Sequence, residues 1–76
     1  MEGLGPGDYR HVKVRVNGTE RETDAGTISG LLEELRLPRQ MALVELNGEA
    51  RKREDWDGAR LKDGDVVEVL KVAAGG

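Results

Sequence analysis

The chain has 76 residues, with 15 acidic and 12 basic side chains, a formal net charge of −3 and no cysteine. We therefore expect one small domain without disulfides or thiolate metal sites, and the interspersed charges argue against nucleic-acid binding, which needs a basic surface. Because no apolar run approaches the ~20 residues of a membrane span and the N-terminus lacks the order of a signal peptide, the sequence predicts a soluble, cytoplasmic protein that does not enter a membrane.

The N-terminal third predicts a leader followed by a hairpin. Residues 1–11 contain three glycines and a proline, and such a segment cannot offset the entropy of ordering, so we expect a flexible leader. In Val12–Val16 the valines alternate with charged residues, which is the pattern of a half-buried strand. Asn17-Gly18 favours a tight turn, and the polar residues 19–23 predict a return strand at the sheet edge.

The central segment predicts the one helix. Thr27 is a candidate N-cap. Apolar residues follow it at the spacing i, i+3, i+4 and i+7, namely Ile28, Leu31, Leu32 and Leu35. This spacing places them on one face of a helix. We expect Pro38 to stop the helix, because proline has no N–H to donate.

The C-terminal half predicts further strands, with Trp56 as an anchor at the edge of the core. Met41–Leu46 is typical of a mostly buried strand, and a second Asn-Gly pair follows it. Lys62–Asp65 predicts a turn before Val66–Val72, the most β-prone stretch of the chain. The pattern therefore predicts an α+β roll over residues 12–72, with the helix on one face of the sheet, and a flexible tail over residues 73–76.

Few side chains here could carry catalysis. His11 is the only histidine, and no cysteine is present, so neither a Cys–His pair nor a serine triad can be built. Asp63 and Asp65 flank Gly64, but no further ligands follow at the spacing of a calcium loop, which favours a turn over a metal site. We predict no catalytic residue, no metal and no bound cofactor, and hence a protein that is not an enzyme.

The C-terminus is the part of the chain with usable chemistry. Ala73, Ala74, Gly75 and Gly76 lack bulk, and at ~3.3 Å per residue they reach on the order of 13 Å from the fold. Such a thread can enter a narrow channel. The α-carboxylate of Gly76 is a poor electrophile until another protein activates it, for instance as an acyl adenylate. The alternative is a frayed terminus that ends in glycines by chance.

Strand alternation also predicts an exposed apolar patch. With Val67 and Val69 directed at the helix, Leu70 and Val72 face outward. The same alternation on the preceding strand exposes Leu43. Apolar residues exposed together near the tail are typical of a partner-docking surface. The alternative is scattered surface aliphatics that bind nothing.

The motifs resemble those of the ThiS/MoaD-like β-grasp sulfur carrier family. The matching segments are Val14–Gly18, Ile28–Leu35, Val44–Glu49, Arg53–Trp56, Leu61–Val69 and Gly75-Gly76. The segment Arg53–Trp56 is closer to the thiamin-pathway ThiS branch than to the molybdopterin-pathway MoaD branch. The resemblance implies a β-grasp (ubiquitin-like) roll with a mixed sheet of four to five strands and one main helix.

The resemblance also implies partners. A ThiF-like adenylating enzyme of the ubiquitin-activating type would adenylate Gly76 with ATP, and sulfur originating from a cysteine desulfurase would convert it to a thiocarboxylate. A ThiG-like thiazole synthase would then take the sulfur for thiamin biosynthesis. Ala73-Ala74 stands where a third glycine is frequent in ThiS, which leaves the acceptor open. The alternatives are a MoaD-type carrier, a ubiquitin-like modifier conjugated through Gly76, and a plain binding module like the TGS domains.

Overall fold

The computed structural model describes residues 11–72, so most of the predicted leader and the whole predicted tail lie outside the described residues. The described chain forms one sheet with strand order β2-β1-β5-β3-β4. The elements are β1 (Val12–Val16), β2 (Thr19–Thr23), α1 (Ile28–Glu34), β3 (Ala42–Leu46), β4 (Glu49–Arg51) and β5 (Val66–Lys71). Strand β5 is parallel to β1 and antiparallel to β3. The predicted α+β roll with a mixed sheet is therefore confirmed.

Both predicted tight turns are present. Asn17 (φ 50) and Gly18 (φ 85) join β1 to β2, while Asn47 (φ 53) and Gly48 (φ 87) join β3 to β4. Positive φ at both central residues gives a turn whose twist matches that of the flanking strands. The polar strand β2 lies at one edge of the sheet, as predicted, and the short strand β4 lies at the other.

The core lies between α1 and one face of the sheet. Helix α1 begins at the predicted cap, where the Thr27 hydroxyl accepts a hydrogen bond from the Gly30 N–H at 3.1 Å. Its buried stripe consists of Ile28, Leu31 and Leu32. The sheet contributes Val12, Val14, Ala42, Val44, Leu46, Val67 and Val69. Trp56 is only 1% exposed, and its indole N–H donates to the Arg51 carbonyl at 3.0 Å, so this residue belongs to the core.

Helix α1 ends at Glu34, with Leu35, the last residue of the predicted stripe, as its C-cap. The Arg36 N–H donates to the Glu33 carbonyl and the Leu37 N–H to the Leu32 carbonyl, both at 3.0 Å. Arg36 has φ 61, so the helix ends in a Schellman motif with a non-glycine residue in the left-handed conformation. The helix does not continue as far as Pro38, as predicted, and the chain has already turned out of it at Arg36 before it reaches the proline.

Candidate functional site

Strand β5 carries the chain towards its C-terminus. It is the central strand, and it ends at Lys71. The Val72 N–H donates to the Met41 carbonyl at 2.8 Å, which extends the pairing with β3 beyond the end of the strand. The residues predicted to carry the chemistry lie outside the described residues, and their roles stay predictions: Ala73, Ala74, Gly75 and Gly76. Val72, the last residue before them that the structure describes, is therefore still bound to β3 by a backbone hydrogen bond.

The Asn17 side chain holds the far half of β5. Its Oδ1 accepts a hydrogen bond from the Val69 N–H at 2.7 Å, and its Nδ2 donates to the Val69 carbonyl at 3.1 Å. Strand β1 ends at Val16, so its backbone does not extend alongside Val69. The amide side chain of Asn17 makes the hydrogen bonds to Val69 in its place. We call this pair of bonds the Asn17 clasp. Sequence reasoning missed it, although asparagine is a turn residue whose side-chain amide carries both a donor and an acceptor.

Asn47 holds the start of β5 in a similar way. Its Oδ1 accepts from the Val66 N–H at 2.9 Å, and its Nδ2 donates to Oδ1 of Asp65 at 3.0 Å. Asp65 is only 5% exposed, and its other carboxylate oxygen accepts from the Lys62 N–H at 2.8 Å. The predicted turn at Lys62–Asp65 is thus confirmed, with the buried carboxylate satisfied by hydrogen bonds. Within residues 11–72, no group of three or more His, Asp and Glu side chains is arranged to hold a metal ion.

Two leucines lie side by side on the sheet face opposite the helix. The β3–β5 register pairs Leu43 with Leu70, and the two side chains are 50% and 64% exposed. Val72 is half-buried, so it presents less surface than the alternation predicted. The predicted patch is therefore centred on a cross-strand leucine pair close to the point where the tail begins. We call Leu43 and Leu70 the leucine pair; their docking role stays a prediction.

His11 lies apart from this surface. It is exposed and contacts the carboxylates of Glu22 and Asp24. An open groove of about 590 Å³ next to it is lined by the side chains and backbone of β1, β2 and the turn before β5, with no Ser, Thr or Cys among the lining residues. The groove therefore offers no hydroxyl or thiol nucleophile from Ser, Thr or Cys. In the part of the chain that is described, no helix has the length and apolar character needed to cross a bilayer.

Comparison with known proteins identifies the family. The model of the ThiS family matches residues 14–76, which runs from β1 through to the final glycine pair. The chain belongs to the ThiS family. The resemblance drawn from the motifs is confirmed.

Two solved structures support this membership of the ThiS family. The crystal structure of a thiamine biosynthesis protein (ThiS) from Geobacter metallireducens is 38% identical, with a TM-score of 0.70 over 86% of this chain and 100% of that chain. The NMR structure of a thiamine biosynthesis protein from the same organism is 36% identical, with a TM-score of 0.70 over 86% of this chain and 88% of that chain. No curated protein sequence matches the chain significantly.

In this ThiS-family chain, the segment Arg53–Trp56 has a structural role. The guanidinium carbons of Arg39 and Arg53 lie 5.4 and 6.0 Å from the centre of the Trp56 ring. Each arginine also donates to the backbone carbonyl of the other at 2.9 Å. The two arginines therefore cover the buried indole and tie the turn before β3 to the turn that contains Arg53.

Asp57 extends this network to the first turn of α1. The Ser29 hydroxyl donates to its carboxylate, and the Arg39 guanidinium donates to it at 3.1 Å. The hydrogen bond from Ser29, followed by the hydrogen bond and the positive charge of Arg39, holds the pKa of Asp57 below its ordinary value of 3.8. These contacts stabilise the ionised carboxylate on the surface of this ThiS-family fold.

Proposed function

We propose that this chain is a sulfur carrier that is activated and loaded at the carboxylate of Gly76. The observation that carries the proposal is the match to the ThiS family over residues 14–76, which includes the final glycine pair. The fold supports it, because β5 is held on both sides by β1 and β3 and leads directly towards that end. On this proposal the chain is a co-substrate of partner enzymes and has no catalytic residue of its own.

The chemistry requires two steps at one carbon atom. A ThiF-like adenylating enzyme of the ubiquitin-activating type transfers AMP from ATP to the Gly76 carboxylate and releases pyrophosphate. A sulfur nucleophile, supplied through a cysteine desulfurase, then attacks the carbonyl carbon and expels AMP. Because this nucleophile is a persulfide, the first product is an acyl disulfide between Gly76 and the sulfur donor. A second thiol then attacks the donor's sulfur: the S–S bond of the acyl disulfide breaks, the donor is left in a disulfide with that thiol, and the Gly76 thiocarboxylate is released. ATP belongs to the partner, and the carrier itself binds no cofactor.

We further propose that a ThiG-like thiazole synthase accepts the sulfur, in the cytoplasm, for the thiazole of thiamin. The similar structures from Geobacter metallireducens, described as thiamine biosynthesis proteins, support this acceptor. The proposal predicts that the thiocarboxylate form supports thiazole formation by thiazole synthase. A MoaD-type carrier would instead support molybdopterin formation, so an assay with each acceptor separates the two branches.

The leucine pair is proposed as the docking surface for these enzymes. Leu43 and Leu70 are both half or more exposed and are directly opposed across the β3–β5 ladder. The half-buried Val72 follows, and the tail begins at the next residue. A partner that covers the leucines and Val72 removes apolar surface from water while it holds Gly76 within reach of its active site.

The test is intact mass after incubation with ATP, the adenylating enzyme and a sulfur donor. We expect a mass gain equal to sulfur replacing one oxygen, and no gain for the variant that lacks Gly76. A variant that lacks the leader residue Met1 is the matched control and should be loaded normally. Conjugates to other proteins that depend on Gly76 would support the ubiquitin-like modifier instead. If the mass of this chain does not change, although the same adenylating enzyme is shown to load its own carrier protein, the proposal is contradicted.

A further inference from the structure

The sheet narrows to two strands at the end that leads to the C-terminus. In the described chain, β1 pairs with the first two residues of β5, and β4 pairs with the last three residues of β3. The ladder between β3 and β5 continues beyond both of these partners, as far as the hydrogen bond between the Val72 N–H and the Met41 carbonyl. We call this two-stranded segment, residues 41–43 with residues 70–72, the tail ribbon.

A ribbon of two short strands needs support from outside itself. Two strands without neighbours are marginally stable in water, and such ends of a sheet open by local unfolding. Residue 73 follows Val72 directly in the chain. A shift of the tail ribbon therefore shifts the starting point of the segment that ends at Gly76.

On the β5 side, the support is the Asn17 clasp. Its two hydrogen bonds, at 2.7 and 3.1 Å, bind both backbone groups of Val69, the residue immediately before the tail ribbon. The Asn17 N–H also donates to the Val67 carbonyl at 3.0 Å. One turn residue thus holds β5 through its backbone and its side chain, up to the point where the ribbon begins.

On the β3 side, the support is the guanidinium of Arg53. Its Nε donates to the Arg39 carbonyl at 2.9 Å. Its Nη2 donates to the carbonyls of Gln40 and Ala42 at 3.2 and 3.4 Å. The same guanidinium lies over the buried ring of Trp56. The chain that enters and begins β3 is therefore tied to the core by a side chain, on the side where β4 has ended.

We propose that Asn17 and Arg53 are positioning residues for the loading of Gly76, because they hold the tail ribbon in one orientation from both sides. The inference rests on the proposed carrier function. Neither residue touches the reacting atoms. The leucine pair sets how tightly the partner enzyme binds, whereas Asn17 and Arg53 set how often the bound chain presents its terminal carboxylate in a reactive geometry.

The test measures how fast the adenylating enzyme activates N17G, R53K and the control N47G, as pyrophosphate release at increasing carrier concentration. N47G makes the same exchange in the other Asn-Gly turn, and the bond that it removes is to the Val66 N–H at the opposite end of β5. R53K keeps the positive charge, but a lysine ammonium does not reproduce the planar fork of the guanidinium. All assays are run well below the unfolding midpoint of each variant.

The expected signature is a change in kcat without a change in KM. N17G and R53K should lower kcat about tenfold and leave the KM for the carrier within about twofold of wild type. N47G should change neither constant, although it also loses hydrogen bonds to β5. A purely structural role would not separate N17G from N47G in this way.

Hydrogen exchange of the free proteins provides a readout that needs no partner. The Val72 N–H is bonded to the Met41 carbonyl within the tail ribbon. It should exchange roughly fivefold faster in N17G and R53K than in wild type, and at the wild-type rate in N47G, because it opens with the ribbon.

Three outcomes overturn the inference in distinguishable ways. If wild-type protein is loaded, and N17G and R53K lose no more kcat than N47G, the two residues only stabilise the fold and the carrier function stands. If their KM rises while kcat is unchanged, they act in docking and not in positioning. If wild-type protein gains no sulfur with a competent enzyme, the proposed function and the positioning role are both wrong, whatever the exchange rates are.

Discussion

Replacing Asn17 by glycine removes the hydrogen bonds of the Asn17 clasp but leaves a residue that can still form the tight turn. Glycine accepts the positive φ of this position (φ 50) without strain, so the hairpin between β1 and β2 can still form. What disappears is the pair of hydrogen bonds from the side chain to Val69, at 2.7 and 3.1 Å. The variant N17G therefore measures what the clasp contributes to the fold.

The expected loss of stability follows from these two bonds. Each hydrogen bond contributes about 0.5–1.5 kcal/mol, so their removal costs about 1–3 kcal/mol. Two further effects of glycine oppose each other: it relieves about 1 kcal/mol of left-handed strain and adds chain entropy of about 0.4–1 kcal/mol to the unfolded state. We expect the unfolding midpoint to fall by about 4–8 °C for each kcal/mol lost.

Urea unfolding and amide hydrogen exchange together test this expectation. The Val69 N–H should exchange faster in N17G, because its acceptor, the Asn17 side chain, has gone and water takes its place. The matched control is N47G, which removes the bond to the Val66 N–H and should speed exchange there rather than at Val69. An unfolding free energy for N17G within about 0.5 kcal/mol of wild type, with unchanged exchange at Val69, would refute the clasp as a stabilising contact.

Three further predictions concern other parts of the molecule. Because Leu70 is 64% exposed, L70R should retain the fold by circular dichroism and bind the adenylating enzyme about tenfold more weakly or worse, since an apolar anchor becomes charged; equal binding would remove the leucine pair as a docking surface. Because Arg36 has φ 61, R36G should raise the unfolding free energy by about 0.5–1 kcal/mol, whereas R36A should not. The pKa of Asp57 is lowered in the fold by Ser29 and Arg39, so its stabilising effect is present above the ordinary value of 3.8 and lost as the pH falls through the folded value. D57N should accordingly be less stable than wild type at pH 7 in urea unfolding, and the difference should close in acid; a constant difference at all pH values would contradict this.

Local patterns predicted most of the secondary structure because they depend on neighbouring residues. The alternation in Val12–Val16, the two Asn-Gly turns and the apolar stripe from Ile28 each specify a period or a backbone conformation by themselves. The exposure of Leu43 and Leu70 followed from the same alternation. The left-handed cap after α1 was not predicted, because Arg36 carries no glycine signal; its conformation is accompanied by the hydrogen bond from the Leu37 N–H to the carbonyl of Leu32.

The sequence by itself determined the fold class, the family motifs and the glycine end at which the chemistry is proposed. Only the tertiary structure decided that Leu43 lies opposite Leu70, that Glu45 lies opposite Glu68, and that Asn17 holds a strand 52 positions away along the chain. The physical reason is that the β3–β5 register and the Asn17 clasp both depend on which strands become neighbours in the sheet. That choice is made by burial of the whole core against α1, and no single stretch of sequence encodes it.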